Sequence, residues 1–178
     1  MALQIIYAPH PIFSQVAEKV ENINQDIRDI IDQMLETLRV EKAVGLAGNM
    51  VGILKRIVVI DLHENDVSNP IIMINPEIIY KSEEMQEFEE ASLSFPGISA
   101  DISRPSKIKV KFLDYDAKPQ ELEAEDFLAT VILHEVDYLD GKTYLHYLSK
   151  IKRDMLIKKM KKFILNHPPH IHGEGCRH

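Results

Sequence analysis

The stretch Thr130-Val131-Ile132-Leu133-His134-Glu135-Val136-Asp137-Tyr138-Leu139-Asp140-Gly141 reads as a helix ending at a glycine stop. At helical spacing Phe127, Val131, His134 and Tyr138 share one stripe, and Leu128, Ile132, Glu135 and Leu139 the stripe beside it. A lone carboxylate is costly to bury, so a glutamate on an apolar stripe must be paired, protonated or catalytic. His134-Glu135 opens the H-E-x-x-H pattern, in which two imidazoles one turn apart hold a metal and the glutamate serves as general base. The second imidazole position is Tyr138. What that replacement removes governs the chemistry open to the rest of the chain.

At 178 residues the chain is long enough for one domain with a real core, or a domain plus a tail. Its 45% apolar and 28% charged residues sit at globular averages, which excludes a disordered or membrane-spanning chain. The start, MALQIIYAPHP, lacks the basic-then-apolar pattern of a secretory signal. The single cysteine, Cys176, excludes an internal disulfide and suits a reducing compartment, so the expected location is the cytoplasm. A net charge of −7 argues against a general nucleic-acid binder, and neither DNA nor a membrane is an expected partner.

Residues 3–7 are apolar and broken by Pro9 and Pro11, which predicts an extended leading segment. Asn24 is placed to cap a helix running to about Val40, with Ile27, Ile30, Ile31, Met34, Leu35 and Leu38 on its apolar face. Residues 45–52 form a glycine-punctuated turn, either a site wall or a plain helix-to-strand connection. Residues 56–61 and 71–75 are β-branched and read as strands. Pro76 interrupts, and residues 77–80 resume extended. The acidic run 83–90 reads as a solvated edge or loop. Strict alternation in 107–113 predicts a half-buried strand, and residues 120–125 its hairpin partner, with Asp126 capping the central helix. A last helix spans about 149–165, with Ile151, Met155, Met160 and Phe163 marking its buried side and seven cations facing the single Asp154. The end, HPPHIHGEGCRH, is expected outside the packed domain.

Three segments together resemble one family. Gly45-Leu46-Ala47 with Gly52, then Glu90-x-x-Leu93-Ser94-x-Pro96-Gly97, then His134-Glu135-x-Asp137-x-Leu139-x-Gly141 follow the order and spacing of peptide deformylases. The resemblance extends to about residue 165. It implies an α+β, peptide-deformylase-like fold, with antiparallel sheets around a central helix carrying His134-Glu135, plus a C-terminal helix. The implied organisation is a domain over 1–166 and a His-rich tail over 167–178. It also implies the family activity, hydrolysis of the formyl group from the N-terminal methionine of new polypeptides by a metal-activated water. The metal is iron, zinc or nickel, held by two histidines and a cysteine, and a glutamine helps hold the oxyanion.

Carried over by position, His134 matches the first histidine ligand and Glu135 the catalytic glutamate. Tyr138 stands at the second histidine, Ser92 at the cysteine and Ala91 at the glycine before it. Met50 stands at the glutamine, after Gly48-Asn49, and Leu133 at a common glutamine. Neutral hydroxyls bind a late transition metal poorly, so no metal ligands and no cofactor are expected here. Loss of one oxyanion donor typically costs about two to three orders of magnitude in turnover. The expectation is therefore a degenerate, weakly active or inactive deformylase-like protein that keeps a pocket for N-terminal methionine peptides. The alternative is an active, divergent deformylase with an altered metal site. Glu135 is the catalytic candidate, and Gly45, Leu46, Leu93 and His134 are the substrate-binding ones. Asp137 is read either as a substitute ligand or as a structural hydrogen-bonding residue, the latter preferred. Ser92 with His134 forms a weaker nucleophile–base reading. The tail residues His167, His170, His172, Cys176 and His178 could gather a metal of their own. By resemblance the basic last helix approaches the ribosome, and its cations suit RNA phosphate.

Overall fold

The structure is a computed structural model that describes residues 1–168; the expectation of a metal-gathering tail falls almost wholly on 169–178, outside the described residues. Three helices, α1 (Gln25–Val40), α2 (Asp126–Leu139) and α3 (Lys150–Asn166), are joined by seven strands. The strands are β1 (Gly45–Ala47), β2 (Ile57–Ile60), β3 (Ile71–Lys81), β4 (Met85–Ser92), β5 (Phe95–Pro105), β6 (Lys107–Leu113) and β7 (Pro119–Glu125). Five of them form one sheet in the order β1-β2-β3-β6-β7, and β4 pairs with β5 as a separate hairpin. Every strand pairing is antiparallel.

The helix with the His-Glu pair lies at the centre. From Ala129 to Leu139 only Asp137 escapes full burial, so both stripes read from the sequence face protein along most of their length. The exception is Phe127 at the first turn, which is exposed and meets Phe88 of β4 edge to face. Asp126 does not cap α2 as expected. It is the helix's first residue, Glu125 holds the cap position, and no side chain satisfies the cap. Asn24 does cap α1, its Oδ1 accepting from Ile27 N at 3.0 Å.

The leading segment is pinned across the site. Ile6 N donates to Met50 O and Ala8 N to Ser94 O, both at 2.8 Å, which ties residues 3–8 to the first two motifs at once. Pro76 does not end its strand: β3 continues through it with a register shift, the irregularity that a proline without an N–H needs. Asn75 has φ +53 there, and its amide exchanges two hydrogen bonds with the Val20 backbone. The acidic run is not a loop either. It forms β4, and its last carboxylate, Glu90, is turned inward and buried.

α3 departs most from its expected face. Leu156 and Met160 are buried, whereas Ile151 is 84% and Met155 60% exposed. The helix packs on β5; Met160 and Phe163 of the expected face do turn inward, and Leu156 is buried in place of Met155. Closest approach is at Gly97, where φ is +77 and an added Cβ would lie 2.3 Å from the Phe163 ring. Gly97→Ala should therefore cost about 1–3 kcal/mol and loosen α3 from β5. Thermal melting and amide exchange over residues 156–164 would register it, and unchanged exchange there would contradict this docking. No helix among the described residues is long and apolar enough to cross a membrane.

Candidate functional site

β1 is a three-residue strand whose first residue must be small. A Cβ on Gly45 would lie 2.8 Å from Glu135 Oε1, so the glycine is what lets α2 lie directly beneath the strand. The cleft over Glu135 has a volume of about 530 Å³, which is ligand-sized. Gly45 and Met50 wall it on one side and Ala91, Ser92, Leu93, Phe95 and Gly97 on the other, with Tyr7, Lys42 and Ile98 around them. Of the four residues expected to bind substrate, Gly45 and Leu93 line this cleft. Leu46 is fully buried and pairs with Val59 across β1–β2, and His134 sits below the wall, 7% exposed.

His134 is held from beneath. Its Nδ1 lies 2.7 Å from Glu90 Oε1, its ring stacks on Tyr144 at 5.6 Å, and Tyr138 meets it edge-on at 5.4 Å. Glu90 is gripped from the other side, since Arg104 Nε donates to its Oε2 at 2.7 Å and Arg104 Nη2 to its Oε1 at 2.9 Å. Burial alone would raise the Glu90 pKa, but hydrogen bonds from His134 and Arg104 outweigh it and hold the carboxyl below its usual range. An ionised Glu90 accepts, so His134 carries its proton on Nδ1. Arg104 Nη1 also donates to Asp137 Oδ2 (2.9 Å), where the Tyr147 hydroxyl donates too (2.7 Å). Asp137 thus takes the structural of its two readings, bound to a basic side chain.

The other two ligand positions meet each other. The Tyr138 hydroxyl donates to Ser92 Oγ at 2.6 Å, and Ser94 N donates to the same oxygen at 3.2 Å. Tyr138 is fully buried against Phe13 and Phe95, and that burial pushes its phenol pKa well up, so it stays neutral. Among the described residues no hydrogen bond joins Ser92 to His134; the ring's Nδ1 is tied to Glu90, and Ser92 Oγ accepts from Tyr138. Nor do three His, Cys, Asp or Glu side chains converge there in a way that would hold a metal ion.

Glu135 is the unpaired member. It is 4% exposed, and its Oε2 is buried with no hydrogen-bond partner among the described residues. Burial first, and the nearby Glu90 charge second, push its pKa up to about 7 from the ordinary 4.5. The folded state therefore keeps a proton that the unfolded chain releases, and stability falls as pH rises from 4.5 to about 7. Glu135→Gln should raise the melting temperature at pH 8, by an amount worth up to about 3 kcal/mol, and change it little at pH 4. A melting series across that range checks it; an equal shift at both ends would count against the unpaired carboxyl.

Sequence reasoning missed Glu90 and Arg104. Glu90 was visible only as the first letter of the second motif, and nothing local singled out Arg104.

The arrangement defines a class first: an α+β domain whose buried helix sets a His-Glu pair beneath an apolar cleft, the plan of hydrolases built on an H-E-x-x-H helix. The model of one family, Polypeptide deformylase, matches residues 2–154. A peptide deformylase-like protein of Rickettsia conorii is 62% identical over 175 residues, covering 98% of this chain and 96% of the relative. The peptide deformylase of Rickettsia canadensis is 44% identical, covering 90% and 95%. The crystal structure of peptide deformylase from Ehrlichia chaffeensis superposes with a TM-score of 0.87 at 37% identity, covering 93% of this chain and 98% of that one. This chain belongs to the polypeptide deformylase family, a family of metal-dependent hydrolases.

Proposed function

We propose that this chain is a deformylase-like protein that binds N-terminal methionine peptides in the cleft over Glu135, with little or no metal-dependent deformylation. The observation that carries this reading is the direct 2.6 Å hydrogen bond between Tyr138 and Ser92, which joins two of the three ligand positions to each other. Two neutral hydroxyls and one imidazole are a poor donor set for iron, nickel or zinc, which favour thiolate and imidazole. The residues present do not fit the family's metal. Met50 lines the cleft and brings no hydrogen-bond donor to a developing oxyanion. What supports recognition is the apolar cleft bounded by Leu93 and Phe95, roomy enough for a methionyl peptide terminus. An active, divergent deformylase is the second reading, favoured by the retained Glu135 with its pKa near neutrality.

The two readings separate in one experiment. Protein purified with iron or nickel present is analysed for metal and assayed on a formyl-Met peptide, beside calorimetric binding of methionyl peptides. Peptide binding with no turnover and no metal retained after dialysis supports the proposal. Near-stoichiometric metal with turnover would replace it with the second reading. The basic face of α3 supports a cytoplasmic partner rich in phosphate, the ribosome, through Lys152, Lys158, Lys159 and Lys162. Co-sedimentation that weakens with added salt is the expected outcome; salt-independent association would contradict it.

A further inference from the structure

We infer that this chain associates with a second copy of itself, the outward face of α3 docking on the outer face of the other copy's β4–β5 hairpin. The inference stands apart from the peptide-binding reading, since neither face belongs to the cleft. Helical spacing places Ile151, Met155, Lys158, Lys162 and Leu165 on one line of α3, opposite the Leu156–Met160 side that packs on β5. That line is exposed throughout, and Leu165 at 81% is nearly as bare as Ile151. Three large apolar side chains on one solvent-facing stripe, with lysines between and beside them, are an uncovered face. Charge is segregated as well. α3 holds seven cations against Asp154 in a chain of net −7, so the rest of the chain carries −13.

The acids lie where a helix from another copy can meet them. Exposed and more covered side chains alternate along β4, so Met85, Glu87 and Glu89 share the hairpin's outer face, beyond the exposed Glu83 and Glu84. β5 adds Asp101 directly opposite Glu89, a like-charge pair that destabilises a sheet left to itself. None of these five acids has an ion pair among the described residues, and neither do Lys152, Lys158, Lys159 and Lys162. The other sheet shows the contrast, since Lys107, Lys109 and Lys111 there pair with Glu125, Glu123 and Glu77. The cations that complement the hairpin stand on α3, and a second copy brings the two together. Two α3 helices do not face each other instead, because that would set seven cations against seven. An RNA or an anionic membrane would take up the lysines and leave the hairpin acids unmatched. Seventeen residues make a helix about 25 Å long, so one such contact is small, transient and salt-sensitive.

The test is sedimentation velocity of the full chain at about 100 μM, in about 50 mM and about 500 mM salt. Two surface variants accompany it, Lys158→Glu/Lys162→Glu on the helix and Glu87→Lys/Glu89→Lys on the hairpin, with circular dichroism to check the fold of each. Wild type is expected to self-associate at low salt and about tenfold more weakly at high salt. Each variant alone sets like charges together and is expected to sediment as a monomer. An equimolar mixture is expected to form a one-to-one complex, because the unaltered helix of the hairpin variant meets the unaltered hairpin of the helix variant. Wild type that stays monomeric at low salt overturns the inference. If that monomer binds single-stranded RNA or phosphatidylglycerol vesicles and the helix variant does not, the face belongs to that partner instead. Self-association that persists in either variant, or a mixture of two folded variants that forms no complex, overturns the inference as well. None of these outcomes bears on peptide binding in the cleft, which the calorimetry above tests separately.

Discussion

The double variant Ser92→Cys/Tyr138→His will hold about one iron, nickel or zinc ion per chain after dialysis, whereas the unaltered protein will hold far less. A thiolate and two imidazoles are a complete donor set for these metals, and each added ligand raises affinity multiplicatively because the others already fix the ion. The scaffold suits the change. His134 is already oriented, its Nδ1 tied to Glu90, which leaves Nε2 as the ring's other nitrogen. Tyr138 and Ser92 are in hydrogen-bond contact across the space between α2 and β4, so their replacements face one another there. The cost is local. Removing a fully buried phenol that packs on Phe13 and Phe95 will destabilise the metal-free variant by about 1–3 kcal/mol. Metal should return that and more, since a ligand at a thousand times its dissociation constant stabilises by about 4 kcal/mol. The signature is therefore a melting temperature below wild type with chelator and above it with metal. Adding Met50→Gln should raise formyl-Met turnover by a further two to three orders of magnitude, roughly the worth of one oxyanion donor. If the double variant retained no more metal than wild type, residues 92, 134 and 138 would not converge on one ion, and the proposed lack of metal-dependent deformylation would need another basis.

The sequence disclosed the elements whose causes are local. Asn24 announces α1 because a cap acts over three residues, and the alternation of residues 107–113 announces β6 because a sheet repeats every two. The family was legible too, since its motifs keep a fixed spacing around Leu93 and His134. What stayed hidden depends on partners far along the chain. Glu90 looks like one more acid in a solvated run, and only Arg104, fourteen residues on along the neighbouring strand β5, turns it inward. Likewise Ile151 and Met155 of α3 looked as buried as Met160 and Phe163, yet they are exposed, because the helix meets the rest of the chain where Leu156 and Met160 are buried and Phe163 meets Gly97. Leu46 is fully buried in the first motif while its neighbour Gly45 faces the cleft, a division set by the pleat of a three-residue strand.

Arg104→Met should be the most destabilising single substitution in this region. Arg104 is 2% exposed, and it neutralises Glu90 and Asp137 at once through three hydrogen bonds of 2.7 to 2.9 Å. Burial works against its charge, but the two carboxylates outweigh it and raise its pKa, so it is cationic at any working pH. Taking away one partner of a buried network strands the others, a loss of about 3–5 kcal/mol. In a chain of this size that corresponds to a fall in melting temperature of roughly 10 °C. Glu90→Gln should cost less, because it removes a charge rather than stranding one and its amide oxygen still accepts from Arg104. The pH dependence separates the network from simple packing. The folded-state pKa of Glu90 is lowered, so its stabilisation is present above the ordinary 4.5 and is lost as pH falls through the lower folded value. In Arg104→Met the uncompensated Glu90 prefers its protonated form, and the sign reverses: the deficit relative to wild type should be largest near pH 7 and shrink towards pH 3.5. A deficit of the same size at both pH values would mean that Arg104 supports β5 by its packing alone, and that the ionised Glu90 is not what fixes the His134 ring beneath the cleft.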